Sequence, residues 1–179
     1  MIGFKQFTFI CLDIPGGMAE KILSLRRYFD PTIAWKPVVV TIAGSSGCGH
    51  LSLDQDIFEA NDILADISEK TVPFETQLSG ISTFEDTNIY FFEFADESPF
   101  FEMQSCLMAS GLKFETNPYP FKPHCTIHFK SELTTQKKTE LLNTEIPDGL
   151  FTFSQLSLIS DYTHMSRFSF SAVSSSIEH

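Results

Sequence analysis

Two imidazoles and a hydroxyl crowd one short stretch of this chain. Residues 123–129 read Pro-His-Cys-Thr-Ile-His-Phe. Thr126, Ile127 and Phe129 favour extended backbone, and Pro123 suits a strand start. Strict alternation along a strand then puts His124, Thr126 and His128 on one face. An imidazole that can take or give a proton beside a hydroxyl donor suits an oxyanion such as a phosphate. Cys125 alternates to the opposite face and is not expected to act as a nucleophile.

The elements that must hold this strand follow from periodicity. A strand from about Lys5 to Asp13 is broken by Pro15, Gly16 and Gly17. A helix follows with Met18, Ile22, Leu25 and Phe29 on its apolar stripe, ended by Asp30 and Pro31. Next come a strand over Pro37 to Ala43, a glycine-rich loop over 44–49, and a helix capped by Ser52 with Gln55 three residues on. Ile57, Ala60, Leu64 and Ile67 form the stripe of that helix. Strands are expected over Phe74 to Ser82 and Asn88 to Ala95. A second series follows: a helix opened by Ser98 and Pro99 and stopped by Gly111, the Pro-His-Cys-Thr strand, and a polar helix over Thr134 to Asn143. The closing strands are Leu150 to Ser160 and Ser166 to Val173. The architecture of the first half is repeated in the second with little shared sequence, and such halves commonly face each other across a cleft.

Bulk properties narrow the class. The chain has 179 residues, enough for one domain with a sizeable core. The expected organisation is one two-lobed domain over 1–173 and a loose tail over 174–179. Most of the 19 phenylalanines are read as core filler. The four cysteines, Cys11, Cys48, Cys106 and Cys125, show no C-x-x-C spacing, which speaks against a zinc knuckle and for reduced thiols in a cytoplasmic protein. No apolar run reaches the ~18 residues of a membrane span, and no signal peptide is read. With 12 basic and 23 acidic residues the net charge is −11, which speaks against an extended nucleic-acid surface but leaves room for a small basic pocket.

His124-Cys125-Thr126-Ile127, preceded by Pro123, resembles the second of two H-x-T/S-hydrophobic motifs of the 2H phosphoesterase superfamily. Those proteins, the LigT-like group, are described as 2′-5′ RNA ligases or cyclic phosphodiesterases. The strand ending in Asp13-Ile14-Pro15, the helix after it and the strand ending in Thr41-Ile42-Ala43-Gly44 fit the same order. The resemblance implies an α+β fold with two pseudo-symmetric lobes, antiparallel sheets flanking a central cleft and helices outside. It implies cleavage of a cyclic phosphodiester or a 2′-5′ linkage at a nucleotide or RNA terminus. One histidine would act as general base and the other as general acid, while two hydroxyls hold phosphate oxygens. No metal or other cofactor is implied, and a monomer is expected.

The first motif departs from this pattern. Aligning Thr41-Ile42 with the family pair puts Val39 where the first histidine belongs. The site then reduces to His124, Thr126 and Thr41, and loss of one acid–base partner typically removes ~10² to 10⁴ in rate. Two histidines are candidate substitutes. His50 opens His50-Leu51-Ser52-Leu53, although Ser52 also reads as a helix cap. His128 shares the strand face of His124, although a strand-end imidazole bonded into the wall is the plainer reading. His164, in the Asp161-Tyr162-Thr163-His164 turn, reads as an exposed turn residue, with a turn that reaches the cleft as the alternative. Lys122 and Lys130, on the His124 face by parity, and Arg167 are the candidate phosphate-binding cations. His124 and His128 sit too far apart on a strand to share a metal ion unaided. The alternatives to an enzyme are a phosphate- or nucleotide-binding protein on the same fold that has lost its chemistry, and an unrelated α+β interaction module.

Overall fold

The computed structural model of the chain describes residues 2–172; the expected tail at 174–179 lies outside the described residues. In chain order the elements are β1 (Thr8–Asp13), α1 (Gly16–Phe29), β2 (Val39–Ala43), α2 (Ile57–Lys70), β3 (Phe74–Thr76), β4 (Leu78–Thr83) and β5 (Ile89–Phe94). There follow α3 (Ser98–Ala109), β6 (Cys125–Phe129), α4 (Thr135–Leu142), β7 (Phe151–Phe153), β8 (Gln155–Ser160) and β9 (Thr163–Ser169). The fold is α+β, and the strand pairings among the described residues are antiparallel. No helix among the described residues is long and apolar enough to cross a membrane.

One sheet has the order β2-β1-β8-β9. Ile10, Leu12, Val40, Ile42, Leu156 and Leu158 are all fully buried, and α2 and α3 pack against this sheet. Each such side chain contributes roughly 1.5–3 kcal/mol by leaving water. The opposite face carries Val39 and Thr41 on β2, Cys11 and Asp13 on β1, Ser157 on β8 and Arg167 on β9, as their pairing registers require. A one-residue slip would drive Asp13 and Arg167 into the apolar layer, so the register is strongly specified.

The second sheet has the order β4-β5-β6, with α1 against β6. The free edges β2 and β6 come together where the two sheets meet. A short β3–β7 ribbon joins the halves. Its Phe74 and Phe153 pack on Phe100, with Phe94 completing the group. The phenylalanine content therefore does build core, as expected.

Three sequence readings are corrected. The strands read as Phe74 to Ser82 and Leu150 to Ser160 are each broken, at Gln77 and Ser154, because the chain changes pairing partner there. The helix expected from Ser52 starts at Ile57. Asp56 caps it by accepting from the Phe58 and Glu59 amides, while Ser52 Oγ donates to Glu115 Oε1 at 2.7 Å. Residues 49–52 instead bond to the 113–115 segment, through the bridge Leu51↔Phe114 and its neighbours. The third correction concerns β6. Phe91 opposes Thr126 but Tyr90 opposes His128, so Ile127 is a bulge. A bulge breaks strict alternation, and His128 leaves the face of His124 and Thr126 to become fully buried.

Candidate active site

The two threonines stand on the facing edges. Thr41 is half-buried on β2 and Thr126 half-buried on β6. Thr41 Oγ1 receives a long 3.7 Å contact from the Cys11 thiol. Burial pushes the pKa of that thiol up to about 12, the Thr41 hydroxyl opposing and Asp13 adding to the rise. Cys11 is therefore a neutral spacer, not a nucleophile.

Arg26 on α1 holds the edges in place. It is 3% exposed. Its Nε donates to the Thr126 carbonyl at 2.9 Å, and Nη1 donates to the Lys36 and Pro37 carbonyls at 3.1 Å each. One guanidinium thus ties the second motif strand to the segment entering the first. Nothing in the sequence reading singled out Arg26. The signal was there, since it lies four residues after Ile22 on the apolar stripe, where a charge demands buried partners.

His124 immediately precedes β6. Its Nδ1–H donates to the Lys122 carbonyl at 2.7 Å, which fixes the tautomer and leaves Nε2 with its lone pair. The ring sits edge-on between Phe84 and Phe91, with centroids at 5.0 and 5.2 Å. Burial holds its pKa below the usual 6.5, the Lys122 carbonyl opposing and the Lys122 charge adding to the depression. The ring is a neutral proton acceptor at pH 7. The loop over 44–49 steadies the segment leading to it. Ser46 Oγ accepts from the Lys122 amide at 3.3 Å, and Gly47 N donates to the Tyr119 carbonyl at 2.7 Å. Gly47, at φ +76°, is packed so tightly on the Gln104 amide that a side chain there would collide with it.

The other candidate side chains are engaged with partners of their own. His128 donates Nδ1–H to the Asn88 carbonyl and accepts from Ser131 Oγ at Nε2, both at 2.8 Å, so neither nitrogen is available. His50 stacks on Phe7 at 4.4 Å and bonds Leu51 O through Nδ1. Lys122 is neutralised by Glu93 at 3.1 Å and Glu97 at 2.5 Å. Lys130 does not share the His124 face: it has left the strand with φ +64° and lies over the Phe129 ring. Arg167, over half exposed, stands 3.7 Å from Asp13. No group of three or more His, Cys, Asp or Glu side chains among the described residues could hold a metal ion.

His164 is not an exposed turn residue. Asp161 and Tyr162, both at positive φ, form the tight turn, and His164 lies on β9 beyond a bulge in its pairing with β8. Its Nε2–H donates to Asp13 Oδ1 at 2.7 Å, and its side chain is 22% exposed. Asp13 Oδ2 accepts from Gln155 Nε2 at 2.6 Å and from the Ser157 hydroxyl. Asp13, Gln155 and His164 line a cavity of about 580 Å³ with Trp35, Lys36 and Val38. His124 and the two threonines do not line it.

The comparisons with known proteins agree with this architecture. No curated protein matches the chain in sequence. Among solved structures it is similar to TT0787 of Thermus thermophilus, at 16% identity and a TM-score of 0.68, covering 93% of this chain and 98% of that one. It is similar to E. coli LigT complexed with 3′-AMP, at 17% identity and a TM-score of 0.62, covering 93% and 99%. LigT complexed with ATP gives 18% identity and a TM-score of 0.62, covering 93% and 98%. Residues 18–164 match the model of the 2′-5′ RNA ligase superfamily. That span contains both β2 and β6, and the chain belongs to this superfamily, the 2H phosphoesterases.

Proposed function

We propose that the protein is a metal-independent phosphodiesterase acting on a cyclic phosphodiester or a 2′-5′ linkage at a nucleotide or RNA terminus, in the cytoplasm. The observation that carries this reading is the uncommitted lone pair of a neutral His124, two residues before Thr126 on the strand edge that adjoins the edge carrying Thr41. In this reading the hydroxyls donate to the phosphate oxygens as negative charge builds on them. His124 Nε2 takes the proton of an attacking water as the new P–O bond forms, and the ribose oxygen leaves with a proton from a second donor. The product is a phosphomonoester. E. coli LigT has been crystallised with 3′-AMP and with phosphate, ligands of the kind this seat would bind.

The test is turnover of a panel of 2′,3′-cyclic nucleotides and 2′-5′-linked dinucleotides. Turnover is expected on at least one of them. His124→Ala should lose ~10² to 10⁴ in kcat, and Thr126→Ala on the order of 10². Val39, which cannot transfer a proton, favours a second reading in which the seat binds phosphate without cleaving it. Ligand-induced thermal stabilisation with no turnover across the panel would select that reading.

A further inference from the structure

His124 accounts for one proton, and the balance of the reaction needs a second group to donate one. Position 39, where the resemblance expects that group, holds a valine. The structure pairs Val39 directly with Asp13 across β1 and β2, so both project from the same sheet face as Thr41. Asp13 in turn carries His164 on Oδ1.

We propose that His164 is the second proton-transfer residue, its imidazole delivered from β9 instead of β2, with Asp13 as its positioning residue. This inference deepens the phosphodiesterase reading and rests on it. Four observations converge. The pair is built, since Asp13 is fixed by Gln155 and Ser157 as well as by His164. The carboxylate takes Nε2–H, which turns Nδ1 away from Asp13 as the nitrogen that can serve a ligand. The ring is reachable, being partly exposed on a cavity large enough for a nucleotide-sized ligand. And the hairpin that brings it is held down: Tyr162 meets the Trp35 ring edge-on at 5.2 Å, and Lys36 Nζ lies 4.0 Å from the Tyr162 centroid. A bulge interrupts the β8–β9 ladder between His164 and Ser166.

The phosphate would lie between Thr41 and the Asp13–His164 pair, over Val39, with the rest of the ligand in the cavity. His124 takes the water proton as oxygen bonds to phosphorus. His164, facing Asp13 through Nε2, would give a proton from Nδ1 to the ribose oxygen as the P–O bond to that oxygen breaks. Arg167, beside Asp13, faces the charge on the phosphate.

The experiment is steady-state kinetics on a turned-over 2′,3′-cyclic nucleotide with the full chain, His164→Gln, and Val39→His added to His164→Gln. His164→Gln is expected to lose ~10² to 10⁴ in kcat with KM changed far less. Val39→His is expected to restore at least roughly tenfold, by supplying an imidazole at the position where the resemblance expects one. Asp13→Asn is expected to lower kcat in the parent chain and to have little further effect once His164 is Gln. His164→Gln within about tenfold of the parent, while His124→Ala is inactive, would overturn the assignment and leave the phosphodiesterase reading standing. A parent chain without turnover on any member of the panel would overturn both. If His164→Gln does not fold, histidine ring NMR of the parent decides. A nucleoside 2′-monophosphate should perturb both His124 and His164, and perturbation of His124 alone would overturn the proposal.

Discussion

His124 is set up by three contacts: a carbonyl that fixes its tautomer and two phenyl rings that take it out of water. The same burial that favours its neutral form makes it a pH-sensitive part of the fold. Its folded pKa lies below the unfolded value near 6.5, so the unfolded chain binds the proton more readily. The neutral ring's contribution to stability is therefore fully present above pH 6.5 and is lost as pH falls through the depressed folded value. The thermal midpoint of the parent is expected to drop more than that of His124→Gln on going from about pH 7.5 to about pH 5. Equal losses in the two proteins would contradict this assignment of the ring. In kinetics the acid limb of kcat/KM should likewise fall below pH 6.5, because only the neutral imidazole accepts a proton.

At the scale of elements, the site depends on two edge strands that share no backbone ladder with each other, and Arg26 is the side chain that spans them. Truncation to Ala would leave three carbonyls without their charged donor, at a cost of roughly 2–4 kcal/mol. Arg26→Ala should lower the denaturation midpoint accordingly and reduce kcat beyond the loss of folded protein; unchanged stability would remove Arg26 from its bracing role. The element order and the second motif strand were legible in the sequence, because helix stripes such as Ile57, Ala60, Leu64 and Ile67 and the run at 123–129 are local signals. The bulge at Ile127 was not legible, because it is set by the pairing of β5 with β6, and it removed His128 from the site. His164 was hidden for a related reason. Asp161-Tyr162 is not the Asn-Gly or Asp-Gly pair that marks a tight hairpin, so the strand start and the partner 151 residues away in sequence, Asp13, could not be read locally. Arg26 was legible in principle, as a charge on an apolar stripe.

At the scale of the whole molecule, a net charge of −11 surrounds the site proposed to take an anion. Lys122, the cation nearest His124 in sequence, is neutralised by two glutamates, and Lys36 and Arg167 bring positive charge to the cavity. Such a protein repels long polyanions and admits a small one. Raising ionic strength screens that repulsion over a Debye length of about 10 Å at 0.1 M. The value of kcat/KM for a dinucleotide is thus expected to hold or rise with salt. A steep fall, as for a basic groove releasing counterions, would show that an extended nucleic-acid surface exists after all. The most direct test of His124 as the proton acceptor of a phosphodiesterase is kcat/KM on 2′,3′-cyclic nucleotides for the parent and for His124→Gln, with folding verified by thermal denaturation. Measurable turnover is predicted in the parent, with a loss of ~10² to 10⁴ in the variant. Turnover that survives the substitution unchanged would contradict the assignment.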